Sequence, residues 1–217
     1  MKMRISKRGA GIICLAVALA GAVAGGAAFL RHSPHVQTQP PRIKHVVTES
    51  APPSELPITK ASYVSTAGPL EPSYISLPTI SAEGFVQKMG IDQRGEIATP
   101  TNVNFAGWYV NSVPPGQPGL SIIVGHLDGR TSPGIFLHLN KLKPQDTFSV
   151  ALGNGTLLSY SVRTVTTTDN AHAVAALFSQ DPTIKSQLNL ITCGGSFSRA
   201  TSSYDARVIV SAALNSR

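Results

Sequence analysis

The chain reads as an all-β barrel or sandwich placed behind an N-terminal leader, and three observations say so. From Ser73 onward, short apolar runs alternate with turn residues at regular spacing. Leu120 to Val124, LSIIV, is a continuous apolar run, the mark of a strand covered on both faces. Asn154-Gly155 sits between two strand-like runs, Asp146 to Leu152 and Thr156 to Val165, and is the strongest short hairpin signal. The 217 residues are enough for one substantial domain plus extras, and no internal repeat is visible.

Taken in order, Met1 to Ala10 is short and basic. Gly11 to Leu30 is apolar, carries no charge and is bounded by Arg31. Its length matches the ~20 residues that span a bilayer. The basic flank stays cytoplasmic, so residues 1–30 read as a membrane anchor with the rest of the chain outside the cell. The alternative is a cleaved secretory signal, for which Ala20, Ala22 and Ala24 offer suitable spacing. Cys14 is a weak lipidation site, because large Ile13 precedes it.

Residues 31–72 hold eight of the 16 prolines, with Ser and Thr among much of the rest. Such a segment cannot bury a core and stays extended, as a spacer. His32, His35 and His45 fall there and read as solvated side chains rather than metal ligands. The folded domain is expected over 73–217. Tyr74 to Leu77 reads as its first strand, ended by Pro78. Phe85 to Met89 and Glu96 to Ala98 flank the turn-rich GIDQRG as a hairpin. Asn104 to Val110 holds the only tryptophan, Trp108, an aromatic of the core or of a cleft rim. Pro114 to Gly119 is a turn, and Leu127 to Gly134 is a loop. Ile135 to Leu142 is a short helical turn placing Leu139 and Leu142 in the core. Ala173 to Phe178 is a short helix, and Leu188 to Thr192 and Val208 to Leu214 are the last strands.

The net charge of +7 invites a nucleic-acid reading. Its location excludes that class. Residues 1–30 carry four bases and no acid, whereas residues 70–217 carry 10 basic and 9 acidic side chains. The folded part is nearly neutral. Of the two cysteines, Cys14 lies in the leader, so Cys193 stands as a lone thiol in an exported domain. No metal motif is present, nor an acidic cluster of calcium-site spacing, and no cofactor is called for.

Chemistry gathers around the last two strands. Strands joined by a loop pair antiparallel, so the end of Leu188–Cys193 lies beside the start of the strand opened by Arg207. If the LSIIVGH strand runs parallel to the former, His126 reaches the same rim. A thiol attacks only as thiolate, which a neighbouring cation favours. His126 can pass a proton, with an ordinary pKa near ~6.5. Arg207 cannot lose its own proton and suits a substrate carbonyl or an oxyanion. Gly194 and Gly195 allow close approach of backbone and substrate. His138 and His172 are rival bases, and Arg163 and Arg199 are rival cations. Asp128 either orients His126 or caps a turn.

LITCGG, followed by a Tyr and a strand opened by Arg, resembles the cysteine region of sortases. IIVGHLDGRTSPGIFLHLNKLKPQD resembles the histidine region of class F sortases, the actinobacterial-type group. The likeness runs from about Tyr74 to Leu214. It implies an eight-stranded barrel, a catalytic set of His126, Cys193 and Arg207, and a substrate-shaping Thr192 with Gly194 and Asp128 beside it. Many class F members carry Asn where this chain has Arg207, and an Arg where it has Asp205. The resemblance implies cleavage of an LPxTG-like sorting signal between Thr and Gly, through a thioacyl on Cys193, and transfer to an amine of the cell wall. Two rivals stand beside it. An L,D-transpeptidase places a Ser-x-Gly-Cys segment after a spaced His-Gly segment, and neither is found here. A non-catalytic surface module needs only the barrel.

Overall fold

The computed structural model of the chain describes residues 52–59, 63–200 and 202–216. The anchor read at 1–30 lies outside them. Among the described residues no helix is long and apolar enough to cross a membrane.

Strand β1, Pro72–Leu77, turns back on β2, Ala82–Met89, through a single 3₁₀ turn at Pro78–Ile80. Pro78 ends β1 because it has no N–H to give the ladder. Next come β3, Ala106–Tyr109, and β4, Gly119–Gly125; after another 3₁₀ turn at Leu139–Lys141 follow β5, Thr147–Leu152, and β6, Leu157–Asp169. Helix α1, Asn170–Leu177, precedes β7, Ser186–Ser198, and β8, Ser203–Leu214. The strands close into a barrel in the order β1-β2-β3-β4-β7-β8-β6-β5. The expected eight-stranded all-β barrel with few helices is therefore present.

Several elements differ from expectation. Glu96 to Ala98 is no strand; one bridge from Ile91 to Ile97 closes the GIDQRG turn. Asp92 holds that turn by accepting from the backbone N–H of Arg94 and Glu96, at 2.9 and 3.0 Å. Leu139 and Leu142 are buried as expected, but Leu137 faces outward. The β5–β6 turn is a hairpin whose Gly155 takes the left-handed conformation, with φ 82°. β7 does not stop at Thr192. It continues through Cys193 to Ser198, with an irregularity between Gly194 and Phe197.

Two apolar clusters sandwich the wall formed by β4, β7 and β8. Ile123, Leu188, Leu190, Val208 and Val210 point inward, onto Phe136, Phe148 and Tyr160. Ile122, Val124 and Ile209 point outward, against Met89, Ala98 and Leu177 of α1. Burial on both faces is what the run LSIIV required. Asn189, on the outer face, donates to the Leu177 carbonyl at 2.7 Å and pins the end of α1. Trp108 belongs to the inner core and is 5% exposed.

Part of the proline-rich segment lies along the barrel. Ser54 forms a parallel bridge with Asn102, and Asn102 donates to the Leu56 carbonyl at 3.0 Å. The Glu55 carboxylate accepts from the backbone N–H of Arg130 and Thr131 and from the Thr131 hydroxyl. The Thr131 hydroxyl, first among these bonds, holds the Glu55 carboxyl below its ordinary pKa. Glu55→Ala is expected to raise the exchange rates of the Arg130 and Thr131 amides about tenfold, as surface backbone bonds open at little cost. Hydrogen exchange read residue by residue checks this; unchanged rates at both amides would contradict it.

Candidate active site

Register assembles the site. β4 and β7 pair parallel with Val124 opposite Ile191. Cys193 lies two residues past Ile191, and His126 is the first residue after β4, two past Val124, so both lie beyond the same end of the paired stretch. β7 and β8 pair antiparallel with Cys193 opposite Arg207. Cys193 and Arg207 are thus cross-strand neighbours, and His126 leaves β4 at the same end of the sheet. Alternation places them on one face: Ile191 and Ile209 pack in the outer cluster, so Cys193 and Arg207, two residues away, face outward too. A Cβ at Gly125 would strike Phe136 inside the barrel, so the last residue of β4 before His126 faces in.

His126 does not take a partner from Asp128. Its Nε2 lies 2.7 Å from the Pro100 carbonyl oxygen. A carbonyl only accepts, so Nε2 carries a hydrogen and Nδ1 is left to receive a proton. Asp128 instead reaches β8, where it accepts a hydrogen bond from the Tyr204 hydroxyl. The Pro100 contact had no signal in the sequence, because any residue offers a carbonyl.

Cys193 is free and half-buried. Burial pushes its thiol above the ordinary value, the Arg207 guanidinium pulls it down, and the Asp128 carboxylate pushes it up again. The cation favours the thiolate, as the sequence suggested, but desolvation outweighs it. Arg207 is held by its own strand, with Nη1 donating to the carbonyls of Ala206, at 2.8 Å, and Tyr204, at 3.2 Å.

Thr192 is 3% exposed and shares the inner face with Leu190. Its hydroxyl has no hydrogen-bond partner among the described residues. Gly194 is buried opposite Ala206. Gly195 has φ 76°, and a Cβ there would collide with the Asp205 carboxylate. That carboxylate accepts from the Ser196 N–H at 2.8 Å. Only glycine fits such a bulge. Of the rival bases, His172 is held by Asp169 at 2.8 Å beside the start of α1, and His138 is exposed. The rival cations Arg163 and Arg199 are exposed.

The family model described as the sortase domain matches residues 75–215. Among solved structures, a lid mutant of sortase A from Corynebacterium diphtheriae is similar, with 25% identity, 67% of this chain and 70% of that chain covered, and a TM-score of 0.52. A Clostridium perfringens sortase D5 transpeptidase has 18% identity, coverage of 67% and 79%, and a TM-score of 0.50. Sortase C-1 from Actinomyces oris has 23% identity, coverage of 67% and 73%, and a TM-score of 0.49. No curated protein matches.

Because Arg207 favours the thiolate, Arg207→Gln is expected to raise the Cys193 pKa. Below both midpoints, alkylation of Cys193 then slows on the order of tenfold, one pKa unit. A pH series of iodoacetamide labelling, read by mass spectrometry on the Cys193 peptide, measures it. An unmoved profile would mean that the guanidinium does not act on the sulfur.

Proposed function

Since this chain belongs to the sortase family, we propose that it is a class F member in which Cys193, His126 and Arg207 carry out transpeptidation on an LPxTG-like sorting signal. The observation that carries this is the register itself: the one thiol of the described residues stands opposite an arginine on one neighbouring strand, and the other neighbouring strand, parallel to it, runs directly into a histidine. The histidine segment supports class F. Arg207 takes the cation's part because it faces Cys193 across the ladder, whereas Asp205 is engaged by the Ser196 N–H.

The buried thiol rests protonated, and His126 Nδ1 takes its proton as the substrate docks. Cys193 Sγ attacks the carbonyl carbon of the Thr–Gly bond. Arg207 donates to the oxygen as it gains charge. The C–N bond breaks, and the imidazolium returns its proton to the departing glycine amine, leaving a thioacyl enzyme. An incoming amine attacks the thioester, gives a proton to His126, and leaves with a new amide bond as the thiol is restored. Gly194 and Gly195 give the substrate backbone room, Thr192 shapes the site from beneath Cys193, and Asp128 lines its rim. In the cell, residues 1–30 hold the enzyme in the membrane and the following segment carries the domain outward. Both partners, the sorting-signal protein and a cell-wall precursor amine, meet it there.

The test is turnover of an LPxTG peptide with an added amine by the full chain in detergent. Cys193→Ala is expected to abolish cleavage and transfer, and His126→Ala to lower kcat/KM at least ~10²-fold. Undiminished cleavage by Cys193→Ala would overturn the proposal, as would turnover of peptidoglycan stem peptides in place of the sorting peptide.

A further inference from the structure

Tyr204 was not singled out for a role by the sequence, yet it touches four separate parts of the site. It sits at the start of β8. Its hydroxyl donates to Asp128 Oδ2, two residues beyond His126. Its ring meets Phe197 of β7 edge-on, with centroids 5.2 Å apart and planes at 61°. Its carbonyl accepts from Arg207 Nη1 at 3.2 Å and from Asn170 Nδ2, at the start of α1, at 2.8 Å.

We propose that Tyr204 is a positioning residue, whose hydrogen bond to Asp128 fastens the loop following His126 to the strand that bears Arg207 and pins the Asp128 carboxylate beside Cys193. The row across β4, β7 and β8 is joined by ladders only up to its ends. The phenol–carboxylate bond adds a tie between the loop that follows His126 and the strand that bears Arg207. It deepens the transpeptidase reading and rests on it for its catalytic consequence.

Three charged or titratable groups interact with the sulfur, Arg207 and Tyr204 from β8 and Asp128 from the loop after β4, and His126, at the end of β4, precedes Asp128 by two residues. Of these, Asp128 pushes the thiol pKa up and Arg207 pulls it down. The bond to Asp128 is also what chiefly raises the Tyr204 phenol, to about 12, with the Cys193 charge contributing. The phenol therefore stays a donor throughout the working range. Asp128 is otherwise exposed. Without the phenol its carboxylate turns to water, where screening removes most of its effect on the sulfur. The loop loses its tie at the same time.

A sharp split follows. Tyr204→Phe is expected to make Cys193 more acidic and the enzyme slower. Alkylation of Cys193 at a pH below its midpoint should rise about threefold, while kcat/KM for the LPxTG peptide falls about tenfold, carried by kcat. Asp128→Asn should do the same, and the double variant should go no further, since each change breaks the same bond. An unmoved alkylation profile in Tyr204→Phe, or additive effects in the double variant, would overturn the proposal. Alkylation needs no peptide, so it decides the matter even if the wild-type chain proves unable to turn the peptide over. That failure would count against the transpeptidase reading instead.

Discussion

The parallel pairing of β4 on β7 is the constraint from which the rest of the site follows. Parallel strands need a long crossover, and here the crossover carries β5, β6 and α1 around the barrel before β7 returns beside β4. Because both strands run the same way, His126 and Cys193 both lie past the same end of the paired stretch. Antiparallel β8 then begins at that edge. A slip of one residue in either ladder would turn Cys193 into the barrel and bring Thr192 out. The two apolar clusters prevent that slip. Ile123, Leu188 and Leu190 are committed to the inside, and Ile122, Val124 and Ile209 to the outside. Packing energy spread over many buried side chains thus fixes the position of three polar ones.

The electrostatics of the row favour a site that waits rather than one that is always armed. The sulfur is desolvated enough that burial outweighs the guanidinium opposite it, and Asp128 opposes the cation further. A resting thiol is less open to oxidation than a resting thiolate. In the proposed reaction, proton removal is then a step of its own, assigned to His126, whose ring is oriented by the Pro100 carbonyl.

Much of the fold was legible because apolar patterning reports burial directly. LSIIV and LNLIT gave the two central strands, and Asn154-Gly155 between two strand-like runs gave the hairpin. The extent of β7 and β8 was not legible. Gly194, Gly195 and Ser196 look like loop, and only the Asp205 carboxylate closing over Gly195 lets the ladder run past the bulge. Of the candidate site, the pairing of Cys193 with Arg207 follows from two strands joined by a loop, and β4 runs parallel to β7 as the placing of His126 required. Asp128 meets Tyr204 instead of His126, since the contact joins residues 76 apart through loops that carry no periodicity. Thr192, next to the cysteine in sequence, faces the opposite side of the sheet because strand neighbours alternate. The docking of Ser54 and Glu55 was hidden by composition, for prolines argue against a buried core but not against an extended segment laid on a barrel.

The central claim is that the sulfur of Cys193 carries the acyl group. Acid quenching of the full chain during turnover of an LPxTG peptide, followed by peptide mapping, tests it directly. The account predicts a Cys193 peptide heavier by the acyl fragment that ends in threonine, discharged when an amine is added. Cleavage of the sorting peptide with the acyl fragment on another residue, or with no adduct under any quench while product accumulates, would contradict it.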